Sequence, residues 1–213
     1  MIFGSISYLN LLPFQIFLKR YIKNSSTKMA LNYRKNVPAE INRALKRGDI
    51  SAGFISSIES SKYSCSNLGI VADGAVHSVF VIDGDNKIDI ESATSNILAK
   101  VLNLRGEVII GDKALKYHLD GGGGIDLAEE WKRRKNLPFV FARLCFRCHK
   151  KLILDIESRF LRQPIKIPQY ILKREANRRG ITPEDIRWYL QFINYRVDYR
   201  AKKSLKLFLK ISR

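Results

Sequence analysis

One stretch, GSISYLNLLPF at residues 4–14, limits the possible folds more than any other part of the chain. It runs from a short apolar segment through a polar turn into the start of a helix. Pro13 suits a first helical position, where its missing N–H costs nothing and its fixed φ already fits the helix. Phe14, Phe17, Leu18, Tyr21 and Ile22 then recur on one face of a 3.6-residue period. Ser5, Ser7, Tyr8 and Asn10 therefore stand at or just past the carboxyl end of a strand. In open α/β sheets that is where ligands bind. The stretch reads either as the floor of a site or as a connection rich in turn formers, since both need these residue types.

The same construction recurs. After a first strand at Met1–Ile6, Val37-Pro38 opens a second helix with Ile41, Ala44 and Leu45 inward and Gly48 as its stop. Ile50–Ser56 is a second strand, with Ser56-Ser57-Ile58-Glu59 at its carboxyl end, so a βαβ unit gathers polar residues at one edge. Leu68–Ala72 and Val76–Ile82 are further strands, the second containing Ser78. Asp83–Asn86 reads as a hinge or crossover. Ser92, Thr94 and Ser95 are N-cap residues for a helix facing inward through Ile97, Leu98, Val101 and Leu102. Such a start can bind an anion or merely cap the helix. Glu107–Asp112 is a strand ending in Gly111-Asp112. Gly121–Gly124 lacks the Lys-Ser/Thr of a phosphate loop and is a turn before a helix at Asp126–Lys135. Leu137–Phe146 is a strand, and the remainder is helical. Thr182-Pro183-Glu184-Asp185 starts one helix, with Ile186, Leu190, Ile193 and Val197 on a face. Ala201, Leu205, Phe208 and Leu209 line the last.

Composition narrows the partners. The chain of 213 residues is 46% hydrophobic and 27% charged, as in soluble globular proteins. No run reaches the length of a membrane span. The apolar start lacks a basic leader and a small-residue cleavage site, which argues against a signal peptide and for the cytoplasm. The net charge is +18, and residues 143–213 carry 19 Lys/Arg against 6 Asp/Glu. A basic surface favours anionic partners, although a solvated charged face is the commoner reason for such charge. Trp188, Tyr189, Tyr195 and Tyr199 interleave with that charge, as on a nucleic-acid surface, but a buried aromatic face is the preferred reading.

Cys65, Cys145 and Cys148 do not make a disulfide framework. Cys145-Phe-Arg-Cys148-His149 matches a haem-attachment pattern, but that chemistry normally follows export, and the pair follows a run that reads as a buried strand. Zinc would need Cys65 and His77 as further ligands. Neither a cofactor nor a metal is expected.

Several segments, SYLNLLPF, VPAEINRALKRGDISAGFISSIE, SATSN, VIIGDKAL, DLAEEWKRRKNLPFVFARL and GITPEDIRWYLQFINYRVDYRAKKSL, together resemble the chorismate dehydratase family of the futalosine route to menaquinone. The start YLN-x-x-P is the most discriminating of them. The resemblance implies an α/β fold of the type II periplasmic-binding-protein kind, with a ligand cleft between two lobes. Residues 1–83 and 137–213 would form the first lobe and residues 84–136 a shortened second. Two departures stand out: Leu104-Arg105-Gly106 joins the SATSN helix almost directly to the next strand, and Ser51 replaces a commonly acidic residue.

The resemblance also implies the chemistry. Chorismate would be the small-molecule substrate, losing its ring hydroxyl and the proton on the ether-bearing carbon; neither nucleic acid nor membrane is an expected partner. Asn10 would be the catalytic residue, positioning the substrate's own enolpyruvyl carboxylate as the base. Ser7, Tyr8, Ser56, Ser57, Ser78, Thr94, Ser95, Gly111 and Asp112 would bind substrate. Asp112 is the awkward member, an anion beside a dianion. Glu59 reads as structural in preference to catalytic. The rival readings are a non-catalytic binder of a small carboxylate on the same fold and, well behind, a nucleic-acid binder.

Overall fold

A computed structural model describes residues 2–22, 35–162 and 164–212. Met1, where the first strand was expected to begin, and Arg213, at the end of the expected first lobe, lie outside the described residues. Two sheets organise the rest. The larger has six strands and the smaller has three.

The opening stretch folds as its sequence dictates. Strand β1 (Phe3–Ile6) is wholly buried and a single 3-10 turn (Leu9–Leu11) leads into helix α1 (Leu12–Tyr21). Pro13 sits within its first two positions. Strand β2 (Lys35–Asn36) pairs parallel to β1. Helix α2 (Pro38–Arg47) ends at Gly48, whose φ of 88° is the left-handed conformation that glycine adopts at no steric cost. Strand β3 (Ala52–Ser56) lies parallel to β1, completing the βαβ unit. A short helix α3 (Ser57–Ser60) and the long strand β4 (Ser64–Ala72) follow.

The chain then enters the second sheet. Strand β5 (Val79–Ile82) is its centre, flanked antiparallel by β6 (Glu107–Ile110) and β7 (Ile125–Asp126). The expected lobe boundary after residue 83 thus falls behind a strand that pairs only with later segments. Helix α4 (Ala93–Val101) is capped by Ser92, whose hydroxyl accepts the Ser95 N–H. Helix α5 (Gly111–Leu119) begins where only the end of a strand was expected. Its Gly111 and Asp112 are helix residues. Asp126 caps helix α6 (Leu127–Lys135) by accepting from Ala128 and Glu129, while its other oxygen accepts the N–H groups of Val76 and His77. Burial raises the pKa of this carboxyl, and the backbone donors oppose the shift.

Strand β8 (Phe139–Phe146) returns between β3 and β4, antiparallel to both. Cys65 and Cys145 face each other in that pairing and form a disulfide. Cys145 is therefore no haem or metal thiolate, and Cys148 is free and exposed. Helices α7 (Lys150–Phe160), α8 (Gln169–Arg179), α9 (Pro183–Leu190) and α10 (Tyr199–Ile211) close the fold. Thr182 and Asp185 form a capping box at the start of α9. The apolar face expected to run on to Val197 does not belong to one helix. The helix ends at Leu190, and β9 (Asn194–Arg196) joins the edge of the large sheet.

The core is aromatic at two places. Phe14 packs edge-on against Phe54 and Phe160, and fully buried Trp131 packs against Phe139 and Phe208 while its indole N–H reaches Ser204. Tyr189 is buried, and Trp188 and Tyr195 are packed against the core. That agrees with the buried reading of these aromatics, while Tyr199 alone of the four is exposed. No helix among the described residues is long and apolar enough to cross a membrane.

Candidate functional site

The carboxyl ends of β1 and β3 meet strands β5 and β6 of the second sheet around a narrow cavity of about 50 Å³. On the side of the large sheet are Ile6, Tyr8, Asn10, Ser56, Ile70, Phe141 and Ala142; on the side of the small one, Ser78, Val79, Ser92, Ser95, Ile110 and Gly111, from strand ends, turns and helix starts. No lysine, arginine or carboxylate lines it. Its polar surface consists of neutral donors and acceptors, and the first residues of helices α4 and α5 lie against it. Helix starts carry free N–H groups and a partial positive charge, so they favour an anion without a formal counter-charge.

Asn10 is held by its backbone. The hydroxyl of Tyr195 donates to the Asn10 carbonyl at 2.5 Å. The Asn10 Oδ1 atom, by contrast, is buried and has no hydrogen-bond partner among the described residues. A buried polar atom left unpaired costs about 1–3 kcal/mol, so an unpaired acceptor lining a cavity marks a place where a ligand donor fits.

The other residues expected from the sequence divide into two groups. Ser56 is fixed on both sides by Asn42: its N–H donates to Asn42 Oδ1 at 3.0 Å, and its Oγ accepts from Nδ2 at 2.9 Å. Ser78 shares a 2.9 Å hydrogen bond with Tyr189. Ser95 accepts at its Oγ from the Ser92 hydroxyl. Gly111 has a φ of 69°, and a Cβ there would meet the Tyr8 ring at 2.7 Å. Only glycine lets helix α5 start against that ring. Tyr8 donates to Glu91, and burial first, then this carboxylate, raises its pKa well above the usual phenol value. It is a neutral donor, not a base. These five, with Asn10, stand together at the cavity.

Ser7, Ser57, Thr94 and Asp112 do not line it. The Ser7 carbonyl accepts from Arg179 at 3.0 Å, and its N–H donates to Asn36. Ser57 is fully buried and donates to the Val140 carbonyl at 2.5 Å. Thr94 Oγ1 accepts the Ile58 N–H, joining α4 to α3. Asp112 accepts the Leu9 N–H at 2.9 Å through Oδ1 and Arg179 Nε at 2.6 Å through Oδ2. The awkward anion is thus a latch between the opening turn and helix α5, turned to Arg179 in place of the ligand. Burial raises the Asp112 pKa, against the pull of Arg179 and the Leu9 N–H. Burial lowers the Arg179 pKa, but Asp112 and Glu175 together outweigh it. Glu59 pairs with Lys62 at 2.5 Å, the structural role expected of it.

Sequence reasoning missed Glu91, the partner of Tyr8, and the apolar wall of Ile70, Val76 and Phe141; it placed Ser92 at a helix start that caps or binds an anion without naming it among the substrate-binding residues. The Tyr8–Glu91 contact spans 83 positions, and no local pattern announces such a pair. Ser92 was findable, because a cap one turn from Ser95 on a helix facing a cleft shares its environment. Among the described residues no group of three or more His, Cys, Asp or Glu side chains is arranged to hold a metal.

Comparison with known proteins gives this geometry a family. Residues 1–106 and 87–213 match the family described as menaquinone biosynthesis. The chain is 45% identical to a chorismate dehydratase of Campylobacter jejuni over 215 residues, covering 99% of this chain and 96% of that one. Such end-to-end coverage leaves no room for a long additional stretch in that relative, so the short Leu104–Gly106 connection does not set this chain apart from it. A chorismate dehydratase of Thermus thermophilus is 26% identical over 226 residues, covering 81% of this chain and 83% of that one. In structure, a protein from Archaeoglobus fulgidus superposes with a TM-score of 0.69 at 15% identity, covering 99% and 96% of the two chains. The periplasmic aliphatic sulphonate binding protein of Escherichia coli does so at 0.50 and 13%, covering 99% and 86%. The fold is that of periplasmic binding proteins, and the chain belongs to the chorismate dehydratase family of menaquinone biosynthesis.

Proposed function

We propose that this protein is a hydro-lyase that removes water from chorismate to give 3-[(1-carboxyvinyl)oxy]benzoate, acting in the cytoplasm. The observation that carries the reading is the unpartnered Asn10 Oδ1 in a cavity of neutral donors, in a chain 45% identical to a chorismate dehydratase. Chorismate is a dianion whose dehydration makes an aromatic ring, so the driving force lies in the substrate. The enzyme has to bind two carboxylates and hold the flexible enolpyruvyl arm in one geometry. Positioning of this kind accounts for large rate effects, and fixed hydrogen-bond donors for more.

The serines supply such donors already anchored: Ser56 by Asn42, Ser78 by Tyr189 and Ser95 by Ser92. Together with the starts of α4 and α5 they suit the carboxylates. Asn10 has no titrating group. Its role is to orient the substrate while the enolpyruvyl carboxylate takes the proton from the ether-bearing carbon and the ring hydroxyl leaves. Tyr8, kept protonated by its surroundings, gives its one O–H to Glu91 and so faces the substrate as a hydrogen-bond acceptor.

A cavity of about 50 Å³ is far below the roughly 300–1,000 Å³ of ordinary ligand sites. The arrangement therefore suits a closed state, and we place its two lobes on either side of the cavity. The second lobe begins before β5, in place of after residue 83, and runs to about residue 136. Opening would part the Tyr8–Glu91, Leu9–Asp112 and Ile58–Thr94 contacts.

The test is to incubate purified protein with chorismate and follow the substituted benzoate by chromatography, with Asn10→Ala alongside. Product from the wild type and a loss of about a hundredfold or more in kcat for Asn10→Ala support the reading. Equal activity of the variant refutes the role of Asn10. Chorismate bound but unchanged by the wild type identifies a non-catalytic binder on the same fold.

A further inference from the structure

A second cavity, sharing no residue with the first, opens between strand β8 and the last helix. It has about 550 Å³ and is lined by Arg143, Lys202, Leu205, Lys206, Leu209 and Lys210. Four of these six side chains are cationic, and none is acidic.

Arg143 sets this apart from ordinary surface charge. It stands mid-strand in the large sheet, opposite Ile55 on one side and Gly69 on the other. Its one side-chain hydrogen bond among the described residues runs from Nη2 to the Ser66 carbonyl at 3.2 Å. Its Nε is buried and has no partner among the described residues, and no carboxylate there lies within ion-pair distance. An unpaired, partly desolvated guanidinium is costly, and burial alone pulls its pKa down. Its planar fork matches the paired oxygens of an oxyanion. Lys202, Lys206 and Lys210 follow at four-residue spacing along α10, one above the other on a single stripe. All three are exposed and take part in no ion pair among the described residues. Leu205 and Leu209 supply an apolar wall between them.

We propose that this cavity binds an oxyanion of the phosphoryl class, with Arg143 holding two of its oxygens and the α10 lysines supplying the balancing charge. The site shares no lining residue with the cavity of the proposed reaction, although Arg143 follows that cavity's Ala142 in β8, and it does not depend on that reaction. Two sources share this chemistry, a soluble phosphorylated compound and the headgroup of an anionic lipid, and the test separates them.

Inorganic pyrophosphate is titrated into the full chain by calorimetry at low salt, and binding to vesicles of phosphatidylglycerol or phosphatidylcholine is measured by co-sedimentation. One pyrophosphate per chain is expected. Arg143→Gln, which keeps N–H groups for Ser66, should weaken it by about tenfold or more. Lys206→Ala should weaken it severalfold. Lys203→Ala removes the same charge from the same helix outside the cavity and should leave it unchanged. Capture by phosphatidylglycerol vesicles that Arg143→Gln abolishes would assign a lipid headgroup; pyrophosphate binding without capture would assign a soluble ligand. Absence of saturable binding to either, or equal losses for Lys203→Ala and Lys206→Ala, overturns the proposal. Should Arg143→Gln not fold, the two exposed lysine variants still decide it.

Discussion

Removing Arg179 should damage this protein more than removing the carboxylate it holds, and the geometry fixes the order. The Arg179 side chain is 8% exposed and bridges Asp112 at 2.6 Å and Glu175 at 2.7 Å. It also donates to the carbonyls of Ser7 and Glu175. In Asp112→Asn the Leu9 N–H keeps an oxygen acceptor and Arg179 keeps Glu175, so one charge-assisted hydrogen bond is lost, about 1.5–3 kcal/mol. In Arg179→Met two carboxylates, 25% and 11% exposed, lose their shared cation; Glu175 keeps Arg174 at 2.8 Å, and Asp112 is left without a salt-bridge partner. Breaking a buried pair from that side costs about 3–5 kcal/mol. Urea unfolding of the wild type, both single variants and the double variant measures this. Arg179→Met should lower the midpoint more than Asp112→Asn, and adding Asp112→Asn to Arg179→Met should recover part of the loss. Equal single losses, or a double variant equal to their sum, would refute the view of a cation shared between two acids.

Three other outcomes are expected. Gly111→Ala places a methyl group against the Tyr8 ring at a φ of 69°; the backbone cost alone is about 1–2 kcal/mol, and a chromatographic assay should show KM for chorismate rising with it. Glu130, held by Arg133, against a small burial effect, and by Arg134, has its pKa lowered from 4.5 to about 2. Its folded value lies below the unfolded one, so its contribution is present above about pH 4.5 and lost as pH falls towards 2. Melting curves of Glu130→Gln should therefore show a shallower acid decline, by under about 1 kcal/mol because the Arg133 partner is largely exposed. Finally, thiol labelling of the unfolded, unreduced protein should modify Cys148 alone, and reduction should add Cys65 and Cys145; three reactive thiols without reduction would contradict the bond.

Local physics made much of this fold readable. Proline near a helix start, glycine just past its end and serine at a cap act within a few residues, which is why α2, α4 and α9 were legible. The start of α5 was not, because Gly111 at positive φ reads as a stop, and only the Tyr8 ring beside it explains why glycine opens a helix. Strand β9 was hidden because Ile193 and Val197 on either side of it continue the apolar spacing of α9, and only its pairing with β4 sets it apart. At the site, Asn10, Ser56, Ser78 and Ser95 were visible as polar residues at strand or helix ends. Ser57, Thr94 and Asp112 satisfied the same rule, yet their side chains went to backbone partners and a salt bridge. A sequence shows which residues reach an edge; it does not show which of them other segments have already occupied.

The hold on the opening turn also bears on synthesis. Ser7 is fixed by a residue 172 positions later and Asn10 by one 185 positions later. As the chain leaves the ribosome, the opening turn emerges early and lacks these two holds until Arg179 and Tyr195 follow. A nascent chain that stalls before them has neither hold, so the anchoring of Asn10 at the cavity is a property of the nearly finished chain.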